Sequence, residues 1–213
     1  MAADHPPDQL GVVRFAELTA TPWRNGGGVT REVVAAGGSG PGDFDWRISI
    51  AEVSEPGPFS SFPGIDRIIT VVDGEGMDLV VDGVHHVLQV EEPFRFDGAS
   101  EASCRPLAGT IRDLNVMTRH DRLSATLAVR DLSLNRPIAL DRSQVLVLLT
   151  GSAVVVGASG ARVGLHLLDA VCPSGDHLRL VEGSGRAAVV RLERNRQPSA
   201  AADGSPAGAP SSR

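Results

Sequence analysis

The feature that most constrains this chain is a rhythm of two. In FDWRISIAEV, Trp46, Ile48 and Ile50 fall on one side of an extended strand, and Arg47 and Ser49 fall on the other. The runs IDRIITVV, MDLVVDG, HHVLQV, FRFDG and IRDLNVMT follow. Clusters of Gly, Pro or Asp separate them at intervals of roughly ten residues. No long amphipathic helix is written into the chain, so the expected fold class is all-β, a sandwich or barrel. The pattern then restarts: SQVLVLLTGSAVVVGASGARVGLHLLDAVC is weakly parallel to IDRIITVVDGEGMDLVVDGVHHVLQV, with strand, Gly turn and strand in the same order. Two related β-barrel halves are expected, over 1–120 and 121–196, with the junction near 118–130. The stretch AAGGSGPGD (35–43) reads as a flexible loop, and the Ala/Pro/Ser/Gly-rich 197–213 reads as a disordered tail.

Charge and missing residue types exclude several chemistries. The net charge is −6 and no basic block stands out, which argues against nucleic acid and against an anionic membrane surface. All 20 basic residues are arginine, so a Schiff-base lysine and a phosphate-loop lysine are both ruled out. There is no tyrosine to act as a phenolic acid. Cys104 and Cys172 stand alone, outside any metal spacing, and read as buried thiols of a reducing compartment. MAADHPPDQL lacks the basic start and apolar run of a secretory signal, and no stretch approaches the roughly 20 apolar residues of a membrane helix. The cytoplasm is the expected location.

The segment PWRNGGGVTREVV, beginning at Pro22, poses a narrower question. Its glycines match neither GxxxxGK[ST] nor GxGxxG, so a phosphate cradle is set aside. Asn25-Gly26 suits a tight hairpin turn. The extra glycines and the neighbouring Trp23 and Arg24 equally suit a turn that doubles as a pocket wall, because glycine lets a backbone approach a ligand closely.

TPWRNGGGVTREV, FDWRISIAEV, GPFSSFPGIDRIITVVDGEGMDL, PFRFDG and IRDLNVMTR occur in that order. Together they resemble the HutD/Ves family over about residues 10–120. The resemblance implies a bicupin, two cupin-type (jelly-roll-like) β-barrels in one chain, consistent with the two-part strand pattern. It also implies an association with bacterial histidine utilisation. There, family members are thought to bind a small pathway metabolite and to tune flux, without a firmly assigned reaction.

Metal-dependent cupins present an HxH pair, which places both imidazoles on one strand face. This chain has His85-His86, whose side chains must diverge, while His166 and His177 are isolated and His5 and His120 fall in loops. No metal and no cofactor are expected.

The polar stripes Arg47/Ser49 and Asp113/Asn115 either face solvent or line a cavity. Their recurrence inside the family-like motifs favours the cavity. Asp113 would then be the counter-charge of Arg47, as part of the site or as a structural ion pair, with Asn115 orienting the pair or a ligand. Arg67, fixed by the preceding Pro-Gly turn, offers a planar fork for a carboxylate. Trp23 would form a flat wall and Asn25 a polar group at the mouth. Arg24 sits where the family places either basic residue. Glu52 is either a proton acceptor or one half of a salt bridge.

These groups suit a small carboxylate, and the resemblance narrows it to compounds such as urocanate or N-formylglutamate. A binding or regulatory protein is the first reading, since no GxSxG, CxxC or activated nucleophile is present. A metal-free hydrolase or isomerase using Glu52 or Asp113 is the alternative, as is a protein-interaction regulator. A homodimer through edge strands is expected.

Overall fold

The computed structural model describes residues 10–40, 42–172 and 179–195. The proposed tail at 197–213, together with His5 and His177, lies outside the described residues.

Seventeen strands and one 3-10 turn, Phe15–Glu17, make up the chain's regular structure among the described residues. The first eleven strands are β1 (Val12–Val13), β2 (Ala20–Pro22), β3 (Gly28–Ala36), β4 (Trp46–Val53), β5 (Gly57–Pro58), β6 (Ile65–Asp73), β7 (Met77–Val81), β8 (Val84–Leu88), β9 (Phe94–Asp97), β10 (Ala102–Pro106) and β11 (Ile111–Arg119). The remaining six are β12 (Leu123–Leu132), β13 (Ile138–Leu140), β14 (Gln144–Val156), β15 (Arg162–Leu165), β16 (Ala170–Val171) and β17 (Arg179–Arg194). The fold is the all-β bicupin that the alternation and the resemblance anticipate.

In the first half a six-stranded sheet runs β2-β3-β4-β11-β6-β9, and it faces a four-stranded sheet ordered β5-β10-β7-β8. In the second half a seven-stranded sheet runs β1-β16-β14-β17-β12, with β13 and β15 attached to β17 and β14. The first strand therefore crosses over: Val12 pairs with Val171 and Val13 with Ala170. Residues 12–13 thus belong to the sheet of the second half rather than the first.

Alternation divides each central strand between two cores. One face of β4, β6 and β11 sends Ile48, Ile50, Ile68, Leu114 and Val116 into an apolar cluster shared with Val145, Val147, Ala188 and Val190 of the second half. The opposite face contributes Ala51, Val53, Ile69, Val71 and Ile111 to a cluster with Met77, Leu79 and Cys104 of the four-stranded sheet. The second half closes on a core of its own, built from Leu146, Leu148, Val155, Leu165, Val181 and Val189.

That closure depends on a bulge. Leu148 pairs with Ala187 and Thr150 with Arg186, so Leu149 is an extra residue on β14. One added residue exchanges the two faces of a strand. Before the bulge the odd positions Val145 and Val147 face the shared core, and beyond it Ala153 and Val155 face the second half's own core.

Candidate functional site

The polar stripe of β4 and β11 points into the first half and not to solvent. Three rows cross the central strands there. Met117 lies between Arg47 and Arg67, Asn115 between Ser49 and Ile69, and Asp113 between Ala51 and Val71. Above this floor opens a cavity of about 790 Å³, walled on one side by Thr21–Asn25 and on the other by the Pro58–Phe62 segment. Trp23, Arg24, Asn25, Arg47, Ser49, Arg67 and Asn115 all line it.

Arg67 is the best-defined group of the floor, being only 3% exposed. Its Nε and Nη2 both donate to Asn115 Oδ1, at 3.2 and 3.1 Å. Phe96, Phe59 and Phe62 surround the guanidinium, with ring centroids 4.7, 5.0 and 5.9 Å from Cζ. Burial pulls its pKa down to about 10, against the opposing charge of Asp113. It remains a cation throughout the physiological range, held in an aromatic collar where such charges interact strongly.

Asn115 Nδ2 in turn donates to Asp113 Oδ1 at 3.2 Å. Asp113 is completely buried beneath the floor and does not line the cavity. Burial pushes its carboxyl up to about 7, while Arg67 and the Asn115 hydrogen bond hold it down.

Arg47 has a different partner from the one its sequence suggests. Its Nε lies 3.5 Å from Glu32 Oε2, and Asp113 couples to Arg67. Register is the reason, because Arg47 shares the row of Met117, two rungs from that of Asp113. Glu52 stands apart from the cavity altogether. It has the parity of Ile48 and Ile50, which turns it to the opposite face of the sheet, and Arg112 holds it at 3.0 Å. Glu32 is instead the lining carboxylate, and Arg24, Arg47 and Arg67 outnumber it.

The glycine segment is both a turn and a wall. Gly26 has φ +73° and its N–H donates to Trp23 O, closing the hairpin between β2 and β3. A Cβ on Gly28 would sit 2.5 Å from Glu52 O and 3.3 Å from the Trp23 ring, so only glycine allows the strand and the indole to approach this closely. Asn25 Oδ1 accepts from Gly27 N–H, which ties the amide to the turn. Trp23 donates its indole N–H to Thr30 Oγ1 at 2.7 Å and meets Phe59 edge to face.

The family model of HutD matches residues 15–190. The chain belongs to the HutD family. A protein of Pseudomonas putida named for its position in the hutC 3′ region is 38% identical over 187 residues, covering 86% of this chain and 97% of the relative. Protein Ves of Citrobacter koseri is 42% identical over 113 residues, covering 51% of this chain and 58% of Ves. Among solved structures, HutD from Pseudomonas fluorescens superposes with a TM-score of 0.72 at 35% identity, covering 87% and 98% of the two chains. A conserved protein of unknown function from Pseudomonas aeruginosa gives 0.75 at 31% identity, covering 85% and 97%.

In this HutD-family cavity the sequence reading omitted Glu32, Phe59, Phe62 and Met117. Glu32 and Thr30 share the parity of the inward stripe, and the GPFSSFPG motif already held both phenylalanines. What hid Glu32 is a second bulge: Glu32 pairs with Ser49 and Val34 with Ile48, so Val33 is extra and enters the shared core. His85 and His86 serve local structure. His85 Nδ1 lies 3.0 Å from Asp78 Oδ1, and His86 packs on Phe94. Among the described residues no three of His, Cys, Asp and Glu converge as metal ligands. No helix among them is long and apolar enough to cross a membrane.

Proposed function

We propose that this HutD-family protein binds a small carboxylate intermediate of histidine degradation, of the urocanate or N-formylglutamate class. By sensing or buffering that compound it tunes histidine-utilisation flux. The observation that carries this reading is Arg67, an oriented and nearly desolvated guanidinium on the floor of a cavity of small-molecule size. The excess of lining arginines favours an anion. Trp23 and Phe59 offer flat apolar walls to a planar group, and Glu32 offers an acceptor to an N–H donor of the ligand. Two properties of the relatives add support: the Pseudomonas putida protein lies in the hutC 3′ region, and the Pseudomonas fluorescens HutD structure was obtained in a formate condition. A binder is favoured over a hydrolase or isomerase because the two carboxylates best suited by sequence to proton transfer, Glu52 and Asp113, do not line the cavity.

A thermal-shift titration with urocanate, N-formylglutamate, histidine and glutamate tests this. A ligand at 100 times its Kd adds about 2.7 kcal/mol, and a chain of this length then melts about 5–10 °C higher. The expected result is such a shift with urocanate or N-formylglutamate, absent with histidine. No shift with any of the four at millimolar concentration would sink the reading.

A further inference from the structure

From the cavity floor downward, three side chains from two strands form a chain with a fixed direction. Arg67 has only donors to offer, and an ionised Asp113 has only acceptors. Asn115 satisfies both in one orientation, with Oδ1 toward the guanidinium and Nδ2 toward the carboxylate. Flipping the amide would set donor against donor at one end and acceptor against acceptor at the other. Asp113 Oδ1 takes the Asn115 hydrogen bond, and Asp113 Oδ2 is buried with no hydrogen-bond partner among the described residues.

We propose that Asp113 is a positioning residue of the carboxylate site. Without touching the ligand, it aims and charge-balances Arg67 through Asn115, so that the cavity takes up a proton at Asp113 together with an anion at Arg67. This rests on the carboxylate reading of the cavity. An ionised Asp113 neutralises Arg67 and opposes a second negative charge beside it. A protonated Asp113 leaves the whole charge of Arg67 to the ligand. Linkage makes the effect reciprocal: an anion on Arg67 raises the proton affinity of Asp113. The proton comes from solvent and settles on Oδ2, leaving Oδ1 free to keep accepting from Asn115.

The surroundings leave few competitors for that role. From β6, Asp113 meets Arg67, and from β10 it meets Cys104, whose thiol burial pushes up to about 12, so it stays neutral near pH 7. Arg47 of β4 acts on Arg67, and the remainder of the interior cluster is apolar.

The test is a pH series from 5.5 to 8.5 on the wild type and on Asp113→Asn, an isosteric change that keeps an acceptor for Asn115. The readouts are the Arg67 Nε–H resonance by NMR and the Kd of formate, whose own carboxyl stays ionised over this range. In the wild type the Arg67 resonance should titrate with a midpoint near pH 7, and formate should bind roughly fivefold tighter at pH 6 than at pH 8. In Asp113→Asn the resonance should be flat and the two affinities equal. A flat wild-type resonance, or an Asp113→Asn resonance that titrates as the wild type does, overturns the relay. A titrating resonance with pH-independent formate binding overturns the coupling. If neither formate nor urocanate binds at any pH while the resonance titrates, the carboxylate reading and the coupling with it fall, and Asp113–Asn115–Arg67 is a structural ion pair alone. Should Asp113→Asn not fold, the two wild-type readouts decide between these outcomes.

Discussion

At the scale of single residues, the cavity is governed by which charges alternation turns inward. Glu32 is the lining carboxylate and sits beside Arg47. Glu32→Gln should therefore tighten binding of formate, which has no N–H to donate, about two- to fivefold, the effect of removing a partly exposed competing charge. Unchanged or weaker formate binding in a titration would show that Glu32 does not compete with the anion for the cavity's arginines. Arg67→Met keeps most of the buried volume but removes the fork, and should weaken carboxylate binding at least about 30-fold, read by the same titration. Asp113 also sets a sign for stability. Its folded pKa, near 7, lies above its ordinary value of 3.8, so the native state keeps a proton that the unfolded chain has released. Its contribution is favourable at pH 4, diminishes as pH rises through this window, and is level above about pH 7. Asp113→Asn should consequently lose less stability than the wild type between pH 5 and pH 8 in urea unfolding. Parity groups Arg47 with Ser49 and Asp113 with Asn115, their place inside the family-like motifs favours a cavity, and the Pro-Gly turn singles out Arg67. The pairing of Asp113 with Arg67 was not legible, because it depends on which strands become neighbours and in what register.

At the scale of elements, the bulges decide what the period of two cannot. The all-β class, the two halves and the turn at Asn25-Gly26 can be read from local pattern. The extra residues Val33 and Leu149 cannot, since a bulge is defined against a partner strand distant in sequence. Glycine geometry provides a test of the β14 bulge. Gly151 has φ +82°, and a Cβ there would lie 1.9 Å from Ser184 O, whereas Gly160 has φ +81° with nothing within 4 Å. Both substitutions with alanine incur the strain of positive φ, about 1 kcal/mol. Gly151→Ala must also displace β17, and should lower Tm by several degrees more than Gly160→Ala, as thermal melts of the two variants would show. Equal losses would mean that the β14–β17 crossing yields easily.

At the scale of the whole molecule, the two halves share one apolar interface, and one strand crosses from the first to the sheet of the second. Ile48, Ile50 and Val116 of the first half are buried against Val145, Val147 and Val190 of the second. Each half buries one sheet face only against the other, so calorimetry should record one cooperative transition, which a bound carboxylate shifts as a unit. Two separable transitions, with only one moved by ligand, would show that the halves melt independently. The crossing strand also bears on how the chain is made. Val12–Val13 is synthesised long before its hydrogen-bonding partner, Ala170–Val171. That strand must wait unpaired until its partner is made, whereas every strand of the cavity-bearing half finds its sheet neighbours within residues 20–119 and can assemble before the second half is complete.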